Sequence, residues 1–381
     1  MRVVDLFSGC GGMSKGFESA GFELALGIER WAPARKVYEE NFHHPVIDLD
    51  LASTVDAADT IQPFRPDVLI GGPPCQDFSA AGMRIEGDRA NLTLSFAEII
   101  CKVKPRWFVV ENVIGLRTSR VWERSRDLLK DAGYGITESV LNASFFGVPQ
   151  NRKRFFAVGR IGRDDGFLSE YLNQGKSENP LTIRDYLGDE LGVEFYYRHP
   201  RNWGRKAIYS IDEPSATIRS TNRPVAPGYK PHPDDAGCST VAKKLSPKQR
   251  SRLQTFPEDF KFLGTDTSQD MMIANAVPVN LAKHVATAIL KCETDIVSQR
   301  EELFKDWLCS QQGYTTRTIS NVISRINRVE KILKIKCVGG NAASVIKQLK
   351  DSDQYKQTSS SVRSQLKKAL ILRSDYINTF G

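Results

Sequence analysis

The chain has 381 residues, 40% hydrophobic and 26% charged, and a formal net charge of +8, the composition of an ordinary soluble protein with two or three domains and an affinity for a polyanion such as nucleic acid. It contains no run of about 18 uncharged apolar residues and no signal-peptide pattern at its start, so neither a membrane span nor export is expected. Seven scattered cysteines without a C-x-x-C pair argue against zinc and against a disulfide framework, and for a reducing compartment.

Residues 2–7 read as an apolar strand, followed by Ser8-Gly9-Cys10-Gly11-Gly12 and a helical stretch to Ala20. Strand, glycine turn and helix is a dinucleotide-type layout, although the spacing is not G-x-G-x-x-G and no Gly-Lys-Ser/Thr is present. A second strand, 22–28, ends at Glu29, about 20 residues beyond the glycines, where an acid takes ribose hydroxyls; a surface Glu at a strand end is the alternative. Residues 45–48 form a third strand ending at Asp48, and 67–70 a fourth. The pattern continues with a helix over 91–104, a fifth strand at 107–110 and an apolar strand at 155–159 entered through Arg152-Lys153-Arg154. Strands alternating with helices predict an α/β fold with a doubly wound, mainly parallel, Rossmann-like sheet.

The fourth strand empties through Gly71-Gly72 into Pro73-Pro74-Cys75-Gln76. Prolines fix φ and stiffen the loop, so one thiol is held out at the carboxyl end of a strand, where open sheets put their chemistry. A structural cysteine beside a turn is the plainer reading of such a pair taken alone.

Six ordered blocks resemble the DNA (cytosine-5)-methyltransferases: Asp5 to Gly12, Gly72 to Ser79, Glu111-Asn112-Val113, Gln150 to Arg154, Arg252 to Pro257 and Ala274 to Pro278. The resemblance covers roughly residues 1–292. It implies methyl transfer from S-adenosyl-L-methionine to C5 of a flipped cytosine in a specific double-stranded DNA sequence, as the modification half of a restriction system. Cys75 would attack cytosine C6, Glu111 would protonate N3, Arg154 would bind O2 and Arg152 would orient Glu111. Phe7, Gly9, Gly11, Glu29, Asp48, Pro74, Leu92, Asn275 and Val277 would border the cofactor. Ser79, Arg84 and Arg89, on or after the cysteine loop, would face DNA. No metal is needed, a monomer is expected, and a cognate restriction endonuclease would act on the same site.

By this reading residues 1–160 are the catalytic domain, completed by about 270–292. The strand–helix rhythm breaks after 160, and 161–269 hold a target-recognition region, roughly 161–212, and a return segment. Arg198, Arg201, Asn202 and Arg205, interleaved with aromatics, are its candidate DNA contacts; a loop-rich insertion is the alternative. Residues 293–381 form an extra helical region with 15 Lys and Arg against 9 Asp and Glu, suited to DNA outside the site or to a protein partner. The rival functions are a tRNA cytosine-5 methyltransferase on the same scaffold and a catalytically silent nucleic-acid-binding module.

Overall fold

A computed structural model describes residues 1–74, 91–200, 202, 204–333 and 342–380. The chain divides into two compact units, Met1–Ile289 and Leu290–Gly381.

The first unit begins with alternating elements: β1 (Arg2–Leu6), α1 (Gly12–Ser19), β2 (Glu23–Ile28), α2 (Ala32–Asn41), β3 (Val46–Ile47), α3 (Thr54–Ile61), β4 (Val68–Gly71), α4 (Asn91–Val103), β5 (Trp107–Asn112), α5 (Arg120–Asp131), β6 (Tyr134–Asn142), β7 (Gln150–Asn151) and β8 (Lys153–Ile161). Seven strands form one sheet in the order β3-β2-β1-β4-β5-β8-β6. Only β8 runs against its neighbours, antiparallel to β5 and β6. The mainly parallel α/β fold read from the sequence is the fold observed. Val3, Val4, Val68–Ile70 and Trp107–Val110 are buried, as unbroken apolar runs are in strands covered on both faces. Helices α3, α4 and α5 supply Ile61, Phe96, Ile100, Trp122 and Leu129 to one continuous core with these strands.

Two features of this topology position the site. The chain builds outward from β1 to β3, then crosses back to β4 on the other side of β1, so the winding reverses between β1 and β4, where open sheets leave a crevice at their carboxyl ends. Because β8 is antiparallel, its start lies beside the end of β5, with Asn112 opposite Phe155. The basic residues entering β8 therefore arrive at the same edge as Glu111.

The unit continues with α6 (Ser169–Asn173), α7 (Ile183–Leu187), β9 (Phe195–Tyr197), β10 (Ile208–Ser210), β11 (Ser215–Ala216), β12 (Lys243–Lys244), α8 (Pro247–Leu253) and α9 (Asp266–Asn275). A small sheet has the order β10-β9-β12, and β11 pairs with β7. Buried amides tie this region to β7, the strand just before β8: Gln150 Nε2 donates to Gln254 Oε1 at 2.9 Å, Gln150 Oε1 accepts from the Ile218 amide at 3.1 Å, and Gln254 Nε2 donates to the Ile273 carbonyl at 2.6 Å. The unit boundary falls within α10 (Val279–Ser310). The stretch Asp266–Ser310 contains an 18-residue window apolar enough to cross a membrane, but 67% of that window is buried inside the protein, so packing accounts for its apolarity.

The second unit adds α11 (Thr316–Leu333), α12 (Ala342–Asp351), α13 (Asp353–Lys356) and α14 (Ser360–Phe380). Its own core joins Phe304 and Leu308 to Val322, Ile326, Val329, Leu349, Leu366 and Leu370. Gly339 and Gly340, a pair unfavourable inside a helix, lie outside the described residues.

Candidate active site

At the carboxyl edge of β1, β2, β4 and β5 the protein encloses a cavity of about 740 Å³. Its wall includes Phe7, Gly9, Glu29, Pro74, Leu92, Glu111, Arg152, Arg154, Asn275 and Val277, so residues spread over most of the first unit meet in one space. Cys75, Ser79, Arg84, Arg89 and Arg201 lie outside the described residues.

One end of the cavity is built by the β1–α1 turn. Phe7 leaves β1 at φ 61°, an uncommon conformation for a side chain of its size. The Gly9 amide donates to Glu29 Oε2 at 2.8 Å, and the Trp31 amide donates to Oε1 at 2.6 Å. Glu29 thus joins two loops while each oxygen keeps a lone pair to offer. Close packing seals the back: a methyl group on Gly12 would lie 2.4 Å from the Val277 carbonyl oxygen, so only glycine lets α1 meet the segment after α9. Arg30, Trp31, Leu49 and Asp50 complete this wall.

The other end carries the ionisable cluster. Gly72, where β4 hands over to the proline loop, would place an added methyl 3.2 Å from Glu111 Oε2. Asn112 Nδ2 donates to the Pro73 carbonyl at 3.0 Å and fixes the root of that loop. Glu111 Oε1 lies 3.0 Å from Arg154 Nε, yet the contact is not aligned as a hydrogen bond and the oxygen is buried without one. Burial pushes the Glu111 carboxyl up from its ordinary range, against the opposing pull of Arg154 and then Arg152.

Asp5 also lines the cavity. Burial raises its carboxyl to about 7; the Ser14 hydrogen bond opposes this and Glu29 adds to it. Ser14 Oγ donates to Asp5 at 2.5 Å and lies 2.7 Å from the Tyr38 hydroxyl, which is 2.7 Å from His44 Nε2. An acid inside an otherwise apolar strand was the available sequence signal for Asp5. Asn112 likewise stood inside a quoted block without an assigned role.

Several expected positions differ. Asp48 is not in the wall; Arg35 from α2 captures its carboxylate at 3.1 Å, and Asp50 reaches the cavity two residues later. Gly11 holds φ 95° at the cap of α1, behind the wall. Arg154, expected on the base, closes on Glu111. Arg152, expected to orient Glu111, lies close enough to pull its carboxyl down and donates its own hydrogen bonds to the carbonyls of Ala274 at 2.9 Å, Ala276 at 3.1 Å and Ile218 at 3.4 Å. A buried guanidinium must find acceptors, and these carbonyls supply them. Arg198 donates to the Thr217 carbonyl at 2.8 Å, while Asn202 and Arg205 are exposed.

The donor set suits an adenosyl cofactor: carboxylates for hydroxyls at Glu29 and Asp50, the aromatic Trp31 beside them, and an apolar floor from Phe7 and Pro74. Comparison with known proteins agrees. The profile described as C-5 cytosine-specific DNA methylase matches residues 1–291. The Type II methyltransferase M.HindV of Haemophilus influenzae is 49% identical over 298 residues, covering 77% of this chain and 98% of that protein. M.HgiDI of Herpetosiphon aurantiacus is 49% identical over 290 residues, covering 76% and 94%. The crystal structure of the S. pombe Dnmt2 methyltransferase shares the fold, with TM-score 0.58, 18% identity and coverage of 76% of this chain and 98% of that one. The chain therefore belongs to the C-5 cytosine-specific DNA methylase family, and is a DNA (cytosine-5-)-methyltransferase of the Type II restriction-modification kind that uses S-adenosyl-L-methionine as methyl donor.

Proposed function

We propose that Cys75 is the nucleophile, Glu111 the general acid, Arg154 the residue that holds Glu111, and Glu29, Asp50 and Trp31 the main grips on the cofactor. The observation that carries this reading is the shared cavity: the root of the Cys75 loop, the raised Glu111 carboxyl and the Glu29 loop line one space. Cytosine C5 is a poor nucleophile. Addition of a thiolate to C6 sends electrons toward N3, and a carboxylic acid that keeps its proton near neutrality can protonate that nitrogen as charge arrives. C5 then becomes electron-rich. S-adenosyl-L-methionine held by Glu29, Asp50 and Trp31 would supply an electrophilic methyl group there and leave as S-adenosylhomocysteine. Transfer of the C5 proton to solvent and expulsion of the thiolate restore the ring, and N3 returns its proton to Glu111.

Arg152 acts as a positioning residue. By gripping the Ala274 and Ala276 carbonyls it fixes the Asn275–Val277 wall relative to Glu111. The target base is stacked in duplex DNA and must be extruded, at a cost of roughly a few kcal/mol. Residues 161–212 are the proposed target-recognition region, with Asn202 and Arg205 on its surface. The enzyme acts as a monomer in the bacterial cytoplasm, alongside an endonuclease of the same specificity.

A 5-fluorocytosine duplex carrying the target sequence, found first by bisulfite sequencing of DNA from expressing cells, tests the nucleophile. Wild-type protein should form a denaturation-stable adduct and Cys75→Ser none. Methyl transfer at the wild-type rate by Cys75→Ser would overturn the assignment.

A further inference from the structure

We propose that the outward face of α11 in the C-terminal unit is a DNA-backbone surface, which holds duplex DNA through its phosphates without regard to sequence.

The family match ends at residue 291, so this unit is an addition to the catalytic part. It carries the basicity of the whole protein. From Arg317 to the end the sequence has 13 Lys and Arg against 4 Asp and Glu, whereas residues 1–316 hold 40 against 41. A DNA enzyme without this segment would be nearly neutral, and summed positive charge is what draws in and retains a polyanion.

The charge is also arranged. Val322, Ile326 and Val329 are buried and fix the inner face of α11. Opposite them Arg317, Asn321, Ser324, Arg328 and Lys331 are exposed. Their spacing of four, three, four and three residues puts them in one stripe, about 21 Å long at 1.5 Å per residue. Two arginines and a lysine neutralise phosphates, and Asn and Ser donate to phosphate oxygens. The one acid of this helix, Glu330, lies off the stripe and is half-buried. Among the described residues no ion pair involves Arg317, Arg328 or Lys331. On an ordinary solvated helix, alternating charges pair with one another; a stripe of one sign fits a partner of the opposite sign. DNA is the partner this enzyme must meet, and a protein partner would call for an apolar centre that the stripe lacks.

The test uses the full-length chain and an alternating adenine–thymine duplex of about 40 base pairs, about four helical turns, which has no cytosine in either strand. The triple variant Arg317→Gln/Arg328→Gln/Lys331→Gln changes exposed positions only. It should lower the slope of log affinity against log salt by about 3, since each phosphate contact contributes about 0.9, and weaken binding at low salt at least tenfold. Its far-UV spectrum and melting temperature should match wild type. Ser324→Glu, made separately, should weaken binding to the same duplex through charge repulsion at the centre of the stripe. Wild-type affinity and salt slope in both variants would overturn the proposal and turn the search to a protein partner. Because the duplex offers no target base, the result is independent of Cys75, and the 5-fluorocytosine adduct should still form in the triple variant.

Discussion

In the first unit charged side chains go inside. Asp5, Glu111, Arg152, Arg250 and Asp270 are each no more than 7% exposed. Among the described residues of the second unit the buried set is apolar except for Glu293 near its start and Arg373, whose guanidinium lies 5.0 Å from the centre of the Phe304 ring; the remaining charged side chains described there sit on outer or half-buried positions. Burying an ionisable group costs several kcal/mol unless partners offset it. A fold sustains that cost where it needs a proton held or a loop fixed at a set point. The first unit is built around such points, and the second is an amphipathic bundle whose polarity is available to something outside it.

If this contrast is sound, Glu111→Gln should have the largest effect. The amide is nearly isosteric and keeps the cavity, but it cannot deliver a proton to N3. Single-turnover methylation should fall by roughly 10²- to 10⁴-fold, while cofactor affinity by equilibrium dialysis stays within a fewfold of wild type. A loss below about fivefold, well under the usual range for general acids, would remove Glu111 from the chemistry.

Next in size is the buried pair of Arg250 and Asp270, which form a salt bridge with both side chains about 5% exposed. Asn222 Nδ2 donates to the same carboxylate at 2.9 Å, and Arg250 also donates to the Arg219 carbonyl. Arg250→Met should cost about 3–5 kcal/mol by chemical denaturation, because it strands a buried carboxylate. Adding Asp270→Leu should recover most of that loss. The matching change in the second unit, Lys331→Met, should fall within about 0.5 kcal/mol. Equal costs at the two places would erase the distinction between the units.

The sequence was most legible where apolar runs are buried on both faces. Strands β1, β4 and β5 need only that pattern. Strand β6 escaped because Thr137, Glu138 and Ser139 interrupt its apolar residues. The polarity of Thr137 and Glu138 is answered by partners distant in sequence: the Leu168 amide donates to Thr137 Oγ1 at 3.0 Å, and the Trp122 indole donates to Glu138 at 2.8 Å. The site shows the same division. Glu29, Glu111 and the Arg152–Arg154 run could be named because residue type and strand ends point to them. Which arginine meets Glu111, and whether Asp48 or Asp50 reaches the cavity, depends on neighbours such as Arg35 and the Ala274 carbonyl that no local pattern reveals.

The smallest effect concerns Asp5, and its sign follows from linkage. The carboxyl titrates near 3.8 when exposed and near 7 in the folded protein. Between those values the folded state holds a proton that the unfolded chain has released. Its contribution to stability therefore falls as pH rises through that window and levels off above about 7. Asp5→Asn keeps an acceptor for the Ser14 hydroxyl but removes the titration. Relative to wild type, the variant should gain roughly 2.5–3 kcal/mol on going from pH 5 to pH 8, at about 1.4 kcal/mol for each unit of pH actually spent in the window. Denaturation curves of the two proteins at both pH values measure this directly. Parallel pH profiles would mean that Asp5 is already ionised in the fold, and that the Ser14–Tyr38–His44 chain stabilises a charge where burial alone would keep the acid neutral.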